Sequence, residues 1–338
     1  MGIKDKISKA FKSEDLIESQ KDCINDLDKR IEKLEKNNEN LSIIKMNKEI
    51  KNISKSNKTT NRLFITLYMD HELEKTELFS KFRQLELEYI KLIDNIFKKH
   101  NIDWMIESRS FLGAIRHGGF IPWDDGIKCG MTRQEYNRFR EILPKEIEEL
   151  GLADSTRIKY SKPKGENITS ILQLFYYNSF KEIRLMRIDF FPYDFIKEYD
   201  EENFQKQYDD AKEKFFEDLS ELDDYNQVLE NYYGNLNLTY EKTPYMVKGV
   251  EGTFAEEDCV VFETDRIMPY KNVKFEDLTL PGPKDYDYYL KSVYKSYWMM
   301  PKDFKIQNNM KEIRERPNNM EMLDKHIGKL REINDKFE

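Results

Sequence analysis

The run Asp124-Asp125-Gly126-Ile127-Lys128 sets acids and a cation at strand spacing. In an extended strand, residues i, i+2 and i+4 share a face, so Asp124, Gly126 and Lys128 point one way and Asp125 the other. A divalent ion such as magnesium is held by carboxylates and seldom binds where an ammonium already stands. This face therefore presents one acid and a fixed positive charge. Upstream, Arg116 carries a planar fork that suits phosphate, and His117 beside it is either a substrate contact or a local hydrogen-bonding group at a helix end. Glu107 precedes this group, and its type and position fit a structural role as well as an acid–base one.

Positioning these residues takes a strand, a turn and a helix. Phe82, Leu85, Tyr89, Leu92, Ile93 and Ile96 recur on one helical face before Lys98-Lys99-His100-Asn101 ends the helix. Ile102–Glu107 then reads as a strand, and Ser110-Phe111-Leu112-Gly113-Ala114 as the entrance to the next helix. Ile183–Phe191 is an apolar strand, and 199–233 a polar, helical, peripheral stretch. Residues 259–275 read as paired strands around a turn, and 285–297 as an amphipathic helix. Met320, Leu323, His326, Ile327 and Leu330 mark a packing helix near the end. Trp123 is expected to pack beneath the site, and Asp194, after Pro192-Tyr193, to form a turn.

The first 60 residues hold a single aromatic, Phe11, so the core must lie further on. Ile3, Ile7 and Phe11 with Lys4, Lys6, Lys9 and Lys12 around them describe a short basic amphipathic helix suited to an anionic membrane surface over 2–12. From Ile24, the positions Ile24, Leu27, Ile31, Leu34, Leu41 and Ile44 step by three, four and seven, which is a coiled-coil seam and predicts a homo-oligomer through 23–50. Asn38 replaces an apolar seam residue, as register-setting residues do. The expected order is a basic segment over 1–22, a coil over 23–50, a linker over 51–61, a globular domain over 62–312 and a helix over 313–338.

Charged residues make up 36% of the 338 and the net charge is −8, which argues against nucleic acid as a partner. Three scattered cysteines, Cys23, Cys129 and Cys259, form neither a metal pattern nor a disulfide framework. No window approaches 18 uncharged apolar residues. A cytoplasmic protein, peripheral to the membrane through 2–12, is the expectation.

Leu112-Gly113-Ala114-Ile115-Arg116-His117, Gly119-Phe120-Ile121-Pro122-Trp123-Asp124-Asp125, Arg133-Gln134-Glu135-Tyr136 and Arg187-Ile188-Asp189-Phe190-Phe191-Pro192-Tyr193-Asp194 occur in that order. Further along come Met268-Pro269, Leu280-Pro281 and Tyr286-Tyr289-Leu290. This ordered set, over roughly 80–303, resembles the LicD family, which includes the fukutin-like proteins. The resemblance implies an α+β fold, a nucleotidyltransferase-like mixed sheet flanked by helices. It also implies transfer of phosphocholine or a related phospho-alditol from a CDP-linked alcohol donor to a surface-glycan acceptor, with a divalent metal such as magnesium as cofactor.

That family usually reads Trp-Asp-Asp-Asp-Ile-Asp where this chain has Gly126 and Lys128, so the expected ligand positions are lost and no metal residue is assigned. Where it has Gly followed by Ser or Thr, this chain has Arg109-Ser110. The resemblance leaves Asp189 and Asp124 as the catalytic candidates, with Ser110, Arg109, Arg116, Lys128 and His117 around the phosphates. Three expectations follow. One is a noncatalytic relative in which Lys128 pairs with Asp189, so that Lys128→Ala destabilises the protein. Another is a transferase in which Arg109 and Lys128 supply the charge of the metal. The third is an oligomeric scaffold or partner of an active transferase.

Overall fold

A computed structural model describes residues 21, 24–27, 29, 48–56, 77–121, 124, 126–160, 171–178, 182–222, 224–250, 259–294 and 313–337. The chain divides into two compact units, Met1–Glu72 with Pro301–Phe304, and Leu73–Met300 with Lys305–Glu338. All described residues of the first unit are helical, including 48–56, which straddle the expected boundary between coil and linker. The basic segment over 2–12, most of the seam over 23–50, Trp123 and Asp125 lie outside the described residues. Among those described, no helix is long and apolar enough to cross a membrane.

The second unit opens with α1 (Glu77–Lys99), whose six seam residues from Phe82 to Ile96 are all buried. Glu77 in its first turn and Lys98 and Lys99 in its last complement the helix dipole. The strand expected over 102–107 is shorter, β1 (Met105–Ile106), because Glu107 already caps α2 (Ser108–His117). Next come β2 (Ile127–Thr132) and α3 (Arg133–Glu149), where the Thr132 hydroxyl accepts from the Glu135 N–H, closing an orphan donor of the first turn. β3 (Thr156–Tyr160), β4 (Leu172–Tyr177) and β5 (Arg184–Ile196) follow.

The polar stretch expected to be helical forms α4 (Phe204–Glu221) and α5 (Tyr225–Asn235), which enclose a second apolar cluster of Phe204, Tyr208, Phe215, Val228 and Tyr232. Then come β6 (Leu238–Thr239), β7 (Tyr245–Lys248), β8 (Val261–Glu263), the short α6 (Thr264–Ile267), β9 (Lys271–Phe275) and β10 (Leu278–Gly282). The hairpin is β9–β10, whereas β8 pairs with β7, so the strands over 259–275 do not pair with each other as expected. α6 separates them. The last elements are α7 (Tyr286–Tyr294) and α8 (Asn319–Asn334).

Among the described residues the main sheet is mixed and eight-stranded, with the path β1-β2-β5-β4-β3, with β6 and β7 added along the far end of β5 and β8 on β7. Among the described strands only β2 and β5 run parallel, and they bring Lys128 opposite Asp189. β5 is longer than the apolar run suggested because it passes through Pro192. Its β4 pairing stops at Phe190 and its β7 pairing starts at Tyr193. The Pro192 carbonyl accepts from Gly249 on that side, so its missing N–H falls in the gap between two neighbours and interrupts no ladder. α8 packs on α1, burying Leu323, Ile327, Leu330 and Ile333. Each such side chain contributes about 1.5–3 kcal/mol.

Candidate functional site

The site is assembled at the first turn of α2, beside the start of β2. Glu107 is fully buried, and each of its carboxylate oxygens is engaged. Tyr193 Oη donates to Oε2 at 2.5 Å, Ser108 Oγ donates to Oε1 at 3.1 Å, and Lys248 Nζ lies 3.1 Å from Oε1. Ser108 takes a left-handed conformation, φ 49°, and its N–H donates to Tyr289 Oη at 3.0 Å. A side chain at Gly130 would come within 2.9 Å of the Tyr193 ring and 3.0 Å of Met105, so glycine there admits Tyr193 to Glu107. Burial, then the Glu107 carboxylate, pushes the Tyr193 and Tyr289 phenols up, so both stay protonated donors.

Ser110 spans the gap from α2 to β2. Its hydroxyl accepts from the Lys128 N–H at 2.9 Å and donates to the Gly126 carbonyl at 3.4 Å, while the Glu107 N–H donates to the Lys128 carbonyl. Arg109 Nε lies 2.9 Å from Asp124 Oδ2. Asp189, nearly buried, accepts from Gln173 Nε2 at 2.8 Å and lies 3.2 Å from Arg187 Nε. The expected Lys128–Asp189 ion pair is therefore replaced by Arg187–Asp189, because Arg187, two residues along β5, reaches the same carboxylate.

Lys128 itself leans over the Phe191 ring, with Nζ 5.5 Å from the centroid, and its ammonium has no hydrogen-bond or ion-pair partner among the described residues. Burial lowers its pKa first, and the charges of Arg109 and Lys248 lower it further, against the pull of Glu107 and Asp189. Lys248 approaches the same ring at 4.2 Å. Sequence reasoning missed Lys248, Arg187, Gln173, Tyr193 and Tyr289. Apart from Arg187, their partners lie 16–181 residues away. Arg187 alone, two residues from Asp189, was within reach of local pattern.

Residues 101–225 match the family model described as LicD/FKTN/FKRP, nucleotidyltransferase domain. Over that stretch the chain is similar to the LicD family. It is 30% identical to an uncharacterised protein of Rickettsia typhi over 138 residues, 40% of this chain and 42% of that protein. An uncharacterised Rickettsia prowazekii protein is 30% identical over 139 residues, 41% of this chain and 51% of that protein. Lipopolysaccharide cholinephosphotransferase LicD of Haemophilus influenzae is 36% identical over 70 residues, 20% of this chain and 26% of that protein. The chain thus aligns with between a quarter and a half of these relatives' lengths.

A divalent ion, which the LicD resemblance implies, does not fit the described residues. Position 126 offers no carboxylate, 128 offers an ammonium, and Asp124 and Asp189 already face Arg109 and Arg187. No group of three or more His, Cys, Asp or Glu among the described residues is placed to hold a metal ion. The structure thus brings Arg109, Ser110, Asp124, Lys128 and Asp189 into one cluster. Arg116 and His117 stand apart, in the last turn of α2, about 10 Å along its axis from Arg109. There burial lowers the Arg116 pKa, and partial burial with Arg116 lowers that of His117, which leaves the imidazole uncharged at neutral pH. Asp194, expected to form a turn, is instead a fully buried partner of Arg133, with two contacts of 2.9 Å joining β5 to the start of α3.

Proposed function

We propose that this chain acts in surface-glycan modification, binding a phospho-alcohol carried on a cytidine diphosphate and holding the phosphates with fixed cations in place of a divalent ion. The observation that carries this reading is the position of Lys128. Its ammonium stands on β2 opposite Asp189, beside the first turn of α2, at a place where the family resemblance leads one to expect a carboxylate. Fixed cations and backbone N–H groups at a helix start favour phosphate. In a transferase, such charges stabilise the transferring phosphoryl group, and Asp189 or Asp124 would carry the proton of the acceptor hydroxyl.

A second reading is favoured by the pairing of both site acids. Asp124 with Arg109 and Asp189 with Arg187 are neutralised before any substrate arrives, which suits a noncatalytic partner of an active transferase. The coil expected over 23–50 and the basic segment expected over 2–12 would then be its working parts, for self-association and for contact with a membrane surface.

Incubation of the full chain with CDP-choline and a purified glycan acceptor, in magnesium and in EDTA, separates the two. Transfer that persists in EDTA supports catalysis by the fixed cations. Transfer lost in EDTA overturns metal-free catalysis, and donor binding without transfer supports the noncatalytic partner.

A further inference from the structure

Lys248 lies outside the matched residues 101–225 and enters the site from β7. Along β5, Asp189, Phe191 and Tyr193 share one face, because side chains alternate along a strand. Lys128 is opposite Asp189 on one flank, and Lys248 is opposite Tyr193 on the other. Phe191 sits between them, and both ammoniums lean over its ring, at 5.5 and 4.2 Å from the centroid. Two like charges thus converge over one apolar floor.

The donors are unevenly used. An ammonium has three N–H donors. Lys248 directs them toward Glu107 at 3.1 Å and Ser108 Oγ at 3.5 Å, which leaves one, while Lys128 uses none on a described residue. Glu107 and Ser108 are held in turn by Tyr193 and Tyr289, so Lys248 is anchored in position by a buried network. An anion between the two ammoniums would relieve their mutual repulsion and take up the remaining donors.

We infer that Lys248 and Lys128 form a two-lysine clamp over Phe191 for the diphosphate of a nucleotide-linked ligand. This rests on the reading above, that the ligand carries phosphate, and adds Lys248 as a binding residue. The clamp takes the two phosphates by point charge, as lysines do, and needs no bidentate geometry.

The test is isothermal titration of inorganic pyrophosphate into the full-length chain in EDTA, for the wild type and for Lys128→Ala, Lys248→Gln and Lys248→Arg. The expected result is binding by the wild type that weakens at least about tenfold in Lys128→Ala and in Lys248→Gln, and that Lys248→Arg largely retains. Lys248→Arg keeps a charge for Glu107, and Lys128→Ala breaks no ion pair among the described residues, so the test does not depend on Lys248→Gln folding. Pyrophosphate affinity unchanged in Lys128→Ala, or no wild-type binding, overturns the clamp. CDP-choline titrated alongside keeps the two ideas apart. If it fails to bind while pyrophosphate does so through both lysines, the clamp stands and the cytidine diphosphate donor of the reading above falls. If it binds equally to wild type and variants, the reverse holds.

Discussion

Lys128 and Asp189 are direct register partners across the parallel β2–β5 ladder, yet the Asp189 carboxylate is taken by Arg187 and Gln173, and the Lys128 ammonium lies over Phe191. An acid and a base on facing strands thus do not pair, and it is this ammonium that the proposed function assigns to phosphate.

Lys128→Ala should therefore be tolerated. Breaking a buried ion pair costs about 3–5 kcal/mol, but here the alanine removes a desolvated charge and strands no acid, so a change within about 1 kcal/mol is expected. Urea unfolding of the two proteins measures it. A loss of several kcal/mol would restore the Lys128–Asp189 pairing expected from sequence.

The opposite is expected for Asp194→Ala. Asp194 and Arg133 are buried and bonded twice, and Tyr233 Oη also donates to Asp194. Removing the carboxylate strands the guanidinium, for a loss of about 3–5 kcal/mol, and adding Arg133→Met should recover part of it. A double variant no more stable than the sum of the single ones would show that the pair is uncoupled.

α1 and its buried face were legible in the sequence because a 3.6-residue period survives whatever it packs against, and α8 was legible for the same reason. Of the site, Arg109, Ser110, Asp124 and Lys128 were legible because they lie close in sequence, around the start of α2 and the approach to β2, and Asp189 through the ordered motifs of the family resemblance. Lys248 was missed because its partner Glu107 lies 141 residues earlier, and no local pattern encodes a pairing made by β5 bringing β2 and β7 to its two flanks. Asp194 was misread because its neighbours Pro192 and Tyr193 resemble a turn, while the gap between β4 and β7 lets proline stay in the strand.

His326 gives a pH dependence. Its ring, buried against Tyr176 Oη at 2.9 Å, has its pKa lowered by burial, then by Lys325 and Lys329, to about 4 from an ordinary 6.5. Between those values the unfolded chain binds a proton that the folded chain does not. Its contribution is full above pH 6.5 and is lost as pH falls toward 4. Unfolding midpoints at pH 7.5 and 5 should differ less in His326→Gln than in the wild type, and equal differences would place the sensitivity elsewhere.

A metal site should be recoverable. A Cβ at position 126 meets nothing closer than the Arg187 carbonyl at 3.9 Å and its Nη2 at 4.0 Å, so Gly126→Asp fits. Combined with Lys128→Asp, it sets one carboxylate just before β2 and one on β2 opposite Asp189. Manganese titration followed by electron paramagnetic resonance should detect tight binding in the double variant and none in the wild type. Tight binding by the wild type would mean that the present cations do not exclude the ion.

The claim that phosphate is held by fixed cations is tested most directly by isothermal titration of CDP-choline and CDP-ribitol into the full-length protein, each in magnesium and in EDTA. At least one ligand should bind, with the same affinity in both conditions. Binding seen only in magnesium, or in neither condition, would contradict it.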